Sequence, residues 1–210
     1  MFRSNPIIIF IVKLFLLNIF YIATTVLSLG ILVGPSTSAL FYMSKRLITK
    51  DTDIYTLWSD YWKQIKRKFK YAFVFSLILL AFVYIIMVNL ENISILMEQF
   101  PPVLILVIHY FVLGELIILS TSFFYLHGNY QFEIFKDLLV TSFYFANRHF
   151  ITSIIVAVSV TIIVWAIITF LNFSLIFILF SLITTWIALL YNPISARYEL
   201  RQEEEITDDE

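Results

Sequence analysis

Cysteine is absent from this 210-residue chain. That excludes a disulfide framework, a thiolate metal site and a cysteine nucleophile. Glycine is nearly as scarce. Gly30, Gly34, Gly114 and Gly128 stand apart, so no glycine-rich loop can cradle a nucleotide phosphate. The three histidines lack the spacing of a metal site, and no Ser-His-Asp arrangement is suggested. The expectation is a protein that is not an enzyme and carries no cofactor and no metal. Charge is the largest deficit. Only 14% of the residues are charged, against about a quarter in a soluble domain. Such a chain cannot cover its own surface with polar groups, so its solvent is lipid.

What is present fits that solvent. Sixty per cent of the residues are hydrophobic and the mean hydropathy is +0.90. The 22 Phe and 12 Tyr suit bundle filling and interface belts. A helical crossing needs about 20 apolar residues. Runs of that kind lie at 71–90, 103–126, 151–171 and 173–191. A fifth, 7–33, contains Lys13. It exceeds the roughly 7–15 residues of a secretory h-region and no A-x-A site follows, so it reads as a retained helix. The predicted fold is all-α: a polytopic transmembrane bundle of about five spans over residues 1–195. Residues 196–210 form an acidic cytoplasmic tail expected to be disordered.

The connectors give the orientation. Segment 45–70 holds eight Lys/Arg and three Asp, whereas 91–100 holds Glu91 and Glu98 and no base. The positive-inside rule places 45–70, 127–149 and the C-terminus in the cytoplasm. Glu91, Glu98 and Asn172 then face outward. The N-terminus allows two topologies. In one, 7–33 crosses once and Arg3 lies outside. In the other, the chain starts inside, Lys13 snorkels to the inner headgroups, and Gly34-Pro35 ends the first helix, because proline disfavours helix in the residue before it. A short re-entrant helix then starts with Pro35 in its first turn and returns through "STSALFYMS" to Lys45-Arg46, about 20 Å at 1.5 Å per residue. Its small residues suit close packing.

Residues 54–76, "IYTLWSDYWKQIKRKFKYAFVFS", align with 131–153, "QFEIFKDLLVTSFYFANRHFITS". Trp58 meets Phe135, Asp60 meets Asp137, and Ser76 meets Ser153. Both stretches predict an amphipathic cytoplasmic helix that leads into a pair of spans.

Further features sit together near the N-terminus: Asn18 in a Leu-rich helix, Gly34-Pro35-Ser36-Thr37-Ser38-Ala39-Leu40, Lys45-Arg46, and the aromatic-basic stretch Trp58 to Lys70. In these the chain resembles the YesL family of bacterial integral membrane proteins. Lys68-Phe69-Lys70 stands where that family has Asn-Phe-Lys. The resemblance implies a cell-membrane protein whose genes often neighbour those of carbohydrate uptake and polysaccharide degradation. It implies no enzymatic activity and no binding residues.

Two places can carry chemistry. Glu115 is the acid inside a predicted span, and an ionisable group there should face the bundle or a wet cavity. It is read either as a proton or cation site or as a protonated structural donor. Lys63, Lys66, Arg67, Lys68 and Lys70 can bind anionic lipid at the cytoplasmic face, or serve only as a topology signal. Nucleic acid is a poor partner for a helix so close to the bilayer. The acidic tail is either a solvated end or a docking segment. Two functions follow: an accessory protein of the cell membrane, partnered by a carbohydrate transporter complex, or a small ion-coupled transporter or channel built around Glu115.

Overall fold

A computed structural model describes residues 6–49, 52–92, 101–170 and 176–208. Its helices are α1 (Pro6–Leu27), α2 (Val33–Ile48), α3 (Leu57–Glu91), α4 (Pro102–Asn129), α5 (Phe135–Arg148), α6 (Phe150–Phe170) and α7 (Ile176–Asp208). The all-α bundle is as the sequence predicts. By length and composition α1, α3, α4 and α7 can each cross a membrane, and the bent pair α5–α6 makes a fifth candidate. Their outer faces expose Leu80, Tyr84, Val107, Phe111, Ile151 and Ile162, the surface that lipid covers.

The end of α1 lies earlier than Gly34-Pro35. Leu29 N–H bonds Val26 O and Gly30 N–H bonds Thr25 O, while Leu29 and Gly30 have φ of 52° and 86°. This pairing is a Schellman stop, with a left-handed residue just past the last turn. Gly34 and Pro35 lie in the first turn of α2, as expected of Pro35, where the missing proline N–H would be unpaired anyway. The chain reverses at 28–32, and α2 packs antiparallel to α1. Lys13 Nζ donates to Thr52 O (2.6 Å), and Tyr21 OH meets Thr37 Oγ1 (3.4 Å). Thus α1 begins at the same end of the bundle where α2 finishes, the arrangement of the second topology.

The first amphipathic segment is not a separate helix. It is the start of α3, whose 35 residues make roughly 52 Å at 1.5 Å per residue. That exceeds a bilayer core of about 30 Å, and the charged residues occupy the surplus. Its counterpart α5 does stop, and α6 departs from it at 87°. The difference tracks the junctions: Lys70-Tyr71-Ala72 continues a helix, whereas the aligned Asn147-Arg148-His149 ends in a non-helical His149. At the other end, α7 runs through Pro193 to Asp208, so the expected disordered tail is helical as far as Asp208. Its Glu and Arg are good helix formers. Glu98 and Asn172 lie outside the described residues.

Two apolar clusters form the core, and α2 belongs to both. Leu40, Met43 and Leu47 pack with Leu14, Leu17, Leu57, Tyr61 and Ile65. Phe41 joins Phe75, Phe123, Tyr125 and Tyr191 across α3, α4 and α7. Phe75 and Phe123 stack with ring centroids 3.7 Å apart. Ten of the sixteen residues of α2 are buried, so this helix, too short to cross a bilayer, is the centre of the bundle.

Candidate functional site

The polar chemistry of the interior gathers around α2. Two glycines bring backbones together there. A Cβ on Gly34 would strike the Ala72 carbonyl and Ser76 Oγ of α3, and one on Gly128 would lie 2.5 Å from Ser38 O. With no Cβ at these points, α2 lies directly against α3 and α4, the small-residue packing expected in lipid. Hydroxyls then connect the helices. Thr24 Oγ1 meets Ser36 Oγ at 3.1 Å and Tyr61 OH at 3.3 Å. Ser38 Oγ meets His127 Nδ1 at 3.0 Å, and Ser44 Oγ meets Thr184 Oγ1 at 2.9 Å. Asn18 Oδ1 accepts the Ser181 N–H at 3.0 Å, and Ser181 Oγ donates to Leu14 O at 2.8 Å. These groups are buried, and pairing offsets the cost of removing them from water.

The basic stretch divides. Lys63, Lys66, Arg67 and Lys70 are exposed along α3. Lys68 is only 7% exposed, and its Nζ donates to the carbonyl of Tyr130. Arg46 Nη1 and Asp60 Oδ2, 3.0 Å apart, tie the end of α2 to the start of α3. Trp58 stacks on Trp62 and meets the edge of Phe20, so the aromatic stripe of this segment packs partly on α1.

Glu115 is half-buried in α4 and makes no hydrogen bond or ion pair among the described residues. A cavity of about 270 Å³ opens between α1, α2, α4, α6 and α7, with Tyr21, Thr37, Phe41, Thr121, Thr184 and Tyr191 among its walls. Glu115 does not line it; Ile117 and Ile118, further along the same helix, do. His109, the nearest histidine in sequence, has Nδ1 2.7 Å from Ile105 O, one turn back on its own helix. The two do not form a relay.

Comparison with known proteins bears on the hairpin and α3. Residues 14–90 match the DUF624 family, described as a protein of unknown function. No curated protein and no solved structure matches the chain. The DUF624 match begins at Leu14, whose carbonyl receives Ser181, and ends at Leu90, one residue before α3 ends. It therefore covers α2 and α3 up to Leu90 and most of α1, and leaves out α4 to α7. This chain is a polytopic membrane protein whose matched region is its central hairpin and first long helix.

Sequence reasoning placed Asn18, Gly34 and Ser38 in a motif without assigning their contacts. It missed His127, whose partner Ser38 is 89 positions away, and Thr184 and Ser181 on α7. The one local signal for the α4 contact was His127-Gly128 at the end of a span: a polar group beside a residue that permits close approach.

Proposed function

We propose that this chain is an accessory protein of the bacterial cell membrane, not an enzyme, and that it serves carbohydrate uptake by associating with a transporter complex. The proposal takes the DUF624 match and the YesL-like motif to mark one family, and carries over that family's gene neighbourhood as a role. The observation that supports it best is the position of Glu115. The one acid of α4 stands apart from the interhelical cavity and from the polar contacts of α2. A gradient-driven carrier needs an intramembrane charge in contact with its substrate path. In this chain Asn18, Thr24, Ser38 and Ser44, all buried, join helices to one another, which is what a scaffold requires.

The basic part of α3 serves this role at the inner leaflet. Four exposed cations beside a span attract anionic headgroups, and the surfaces for a partner are the aromatic-basic start of α3, the α5 segment and the acidic end of α7.

Vesicle transport tests the choice. The purified protein should move no sugar under a proton or sodium gradient. In cells, deleting the gene should lower growth on a complex saccharide only when the matching transporter is present. Gradient-driven uptake that disappears in Glu115→Gln would replace this reading with the carrier.

A further inference from the structure

Between α3 and the α4–α5 connection lies a cavity of about 300 Å³, some ten times the ~30 Å³ share of a water molecule. Arg67, Lys68, Lys70, Tyr71, His127 and Gln131 are among its walls, and among the described residues no carboxylate lines it. Lys68 is the unusual member. Its side chain is buried, a place where an ammonium is costly without a paired charge. An ammonium has three donors, and among the described residues Lys68 uses one, on the Tyr130 carbonyl. Two further cations and the Gln131 amide stand around the same space. His127, also buried, is held by Ser38 of α2, so the floor of the cavity is tied to the centre of the bundle. Tyr71 OH donates to the Glu133 carbonyl and holds the connection against α3. Lys45 Nζ lies 5.1 Å from the ring centroid of Tyr130, whose carbonyl Lys68 engages.

From this geometry we infer that the cavity is a binding site for a phosphate-type oxyanion, carried either by an anionic lipid headgroup or by a soluble phosphate ester. A compact anion there takes the free donors of Lys68 and neutralises the surrounding positive charge. Bidentate contacts from Arg67 suit phosphate oxygens. The inference deepens the reading of α3 as a helix at an anionic leaflet. It differs from that reading in requiring the walls of the cavity and not merely the basic face.

The test uses the full chain in detergent, with phosphatidylglycerol added to phosphatidylcholine and retained lipid counted by native mass spectrometry. Arg67→Gln removes an exposed wall charge, and Gln131→Glu places a carboxylate at an exposed wall position. Each should lower phosphatidylglycerol retention by more than about fivefold, beyond the weight of one basic residue at an anionic surface. Lys63→Gln, an exposed cation of the same face outside the cavity, should lower it by no more than about that single-residue weight. Glycerol phosphate is added as the soluble probe. If it leaves lipid retention unchanged, the ligand is the headgroup; if it displaces the lipid and binds with the same Arg67 and Gln131 dependence, the ligand is a soluble phosphate ester. Equal losses in Lys63→Gln and Arg67→Gln overturn the cavity and leave the leaflet reading intact. Unchanged retention in all three variants overturns both.

Discussion

Gly34 shows how much a single residue can decide in this bundle. Its value lies in the absent Cβ, because the Ala72 carbonyl and Ser76 Oγ already occupy that space. Gly114 has nothing within 4 Å of the same position. The pair separates packing from helix propensity, since Gly→Ala in an open helix position is worth roughly 1 kcal/mol of gain. Gly34→Ala should therefore lower the thermal midpoint in detergent by several degrees, at a cost of roughly 1–3 kcal/mol for overpacking, while Gly114→Ala should hold or raise it. Equal midpoints for the two variants would mean that α2 does not press on α3. The same reasoning makes Gly128 a second contact point, against Ser38 of α2.

At the scale of the element, the joint between α1 and α2 carries a residue poorly matched to its conformation. Leu29 sits at φ 52°, where a side chain with a Cβ is strained by about 1–2 kcal/mol. Its side chain is 92% exposed and returns little from packing against protein. Leu29→Gly should therefore stabilise the hairpin by about 1 kcal/mol, read as a higher midpoint of thermal unfolding. A lower midpoint would indicate that lipid contact by Leu29 outweighs the backbone strain. The second joint, between α5 and α6, makes the opposite choice from α3. Where α3 continues straight from a charged half into an apolar half, the α5–α6 pair turns by 87°. That bend brings Ser153 to within 3.4 Å of Tyr191 OH on α7, whereas its repeat partner Ser76 bonds its own helix at Ala72 O.

For the whole molecule, the sidedness we propose rests on charge and on the hairpin together. Lys13, Lys45 and Arg46 share one end of the bundle with the start of α3, and the positive-inside rule assigns that end to the cytoplasm. Because the chain has no native cysteine, each introduced thiol reports alone. A membrane-impermeant maleimide added to intact cells should label Asn92→Cys and should spare Ser59→Cys and Ser4→Cys until the cells are opened. Labelling of Ser59→Cys from outside reverses the orientation. Labelling of Ser4→Cys alone from outside removes the α1–α2 hairpin as the topology in the membrane.

Composition alone determined the solvent and the class. A chain with so little charge must bury its helices in lipid, and each long apolar run had one available structure, because a backbone in hydrocarbon must satisfy its own hydrogen bonds. Four of the five predicted runs, and the fact of a helical return after the first, were legible for that reason. Local pattern misjudged the joints. Pro35 does open the second helix as its sequence suggests, but the stop of the first lies earlier, at Leu29-Gly30. The basic stretch read as one face, and only packing turned Lys68 inward while its neighbours stayed out. Nor could spacing show that a helix too short to cross the bilayer is the centre of the bundle. Its partners lie on helices up to 141 positions away, and contacts of that range depend on how rigid helices cross, which no local pattern encodes.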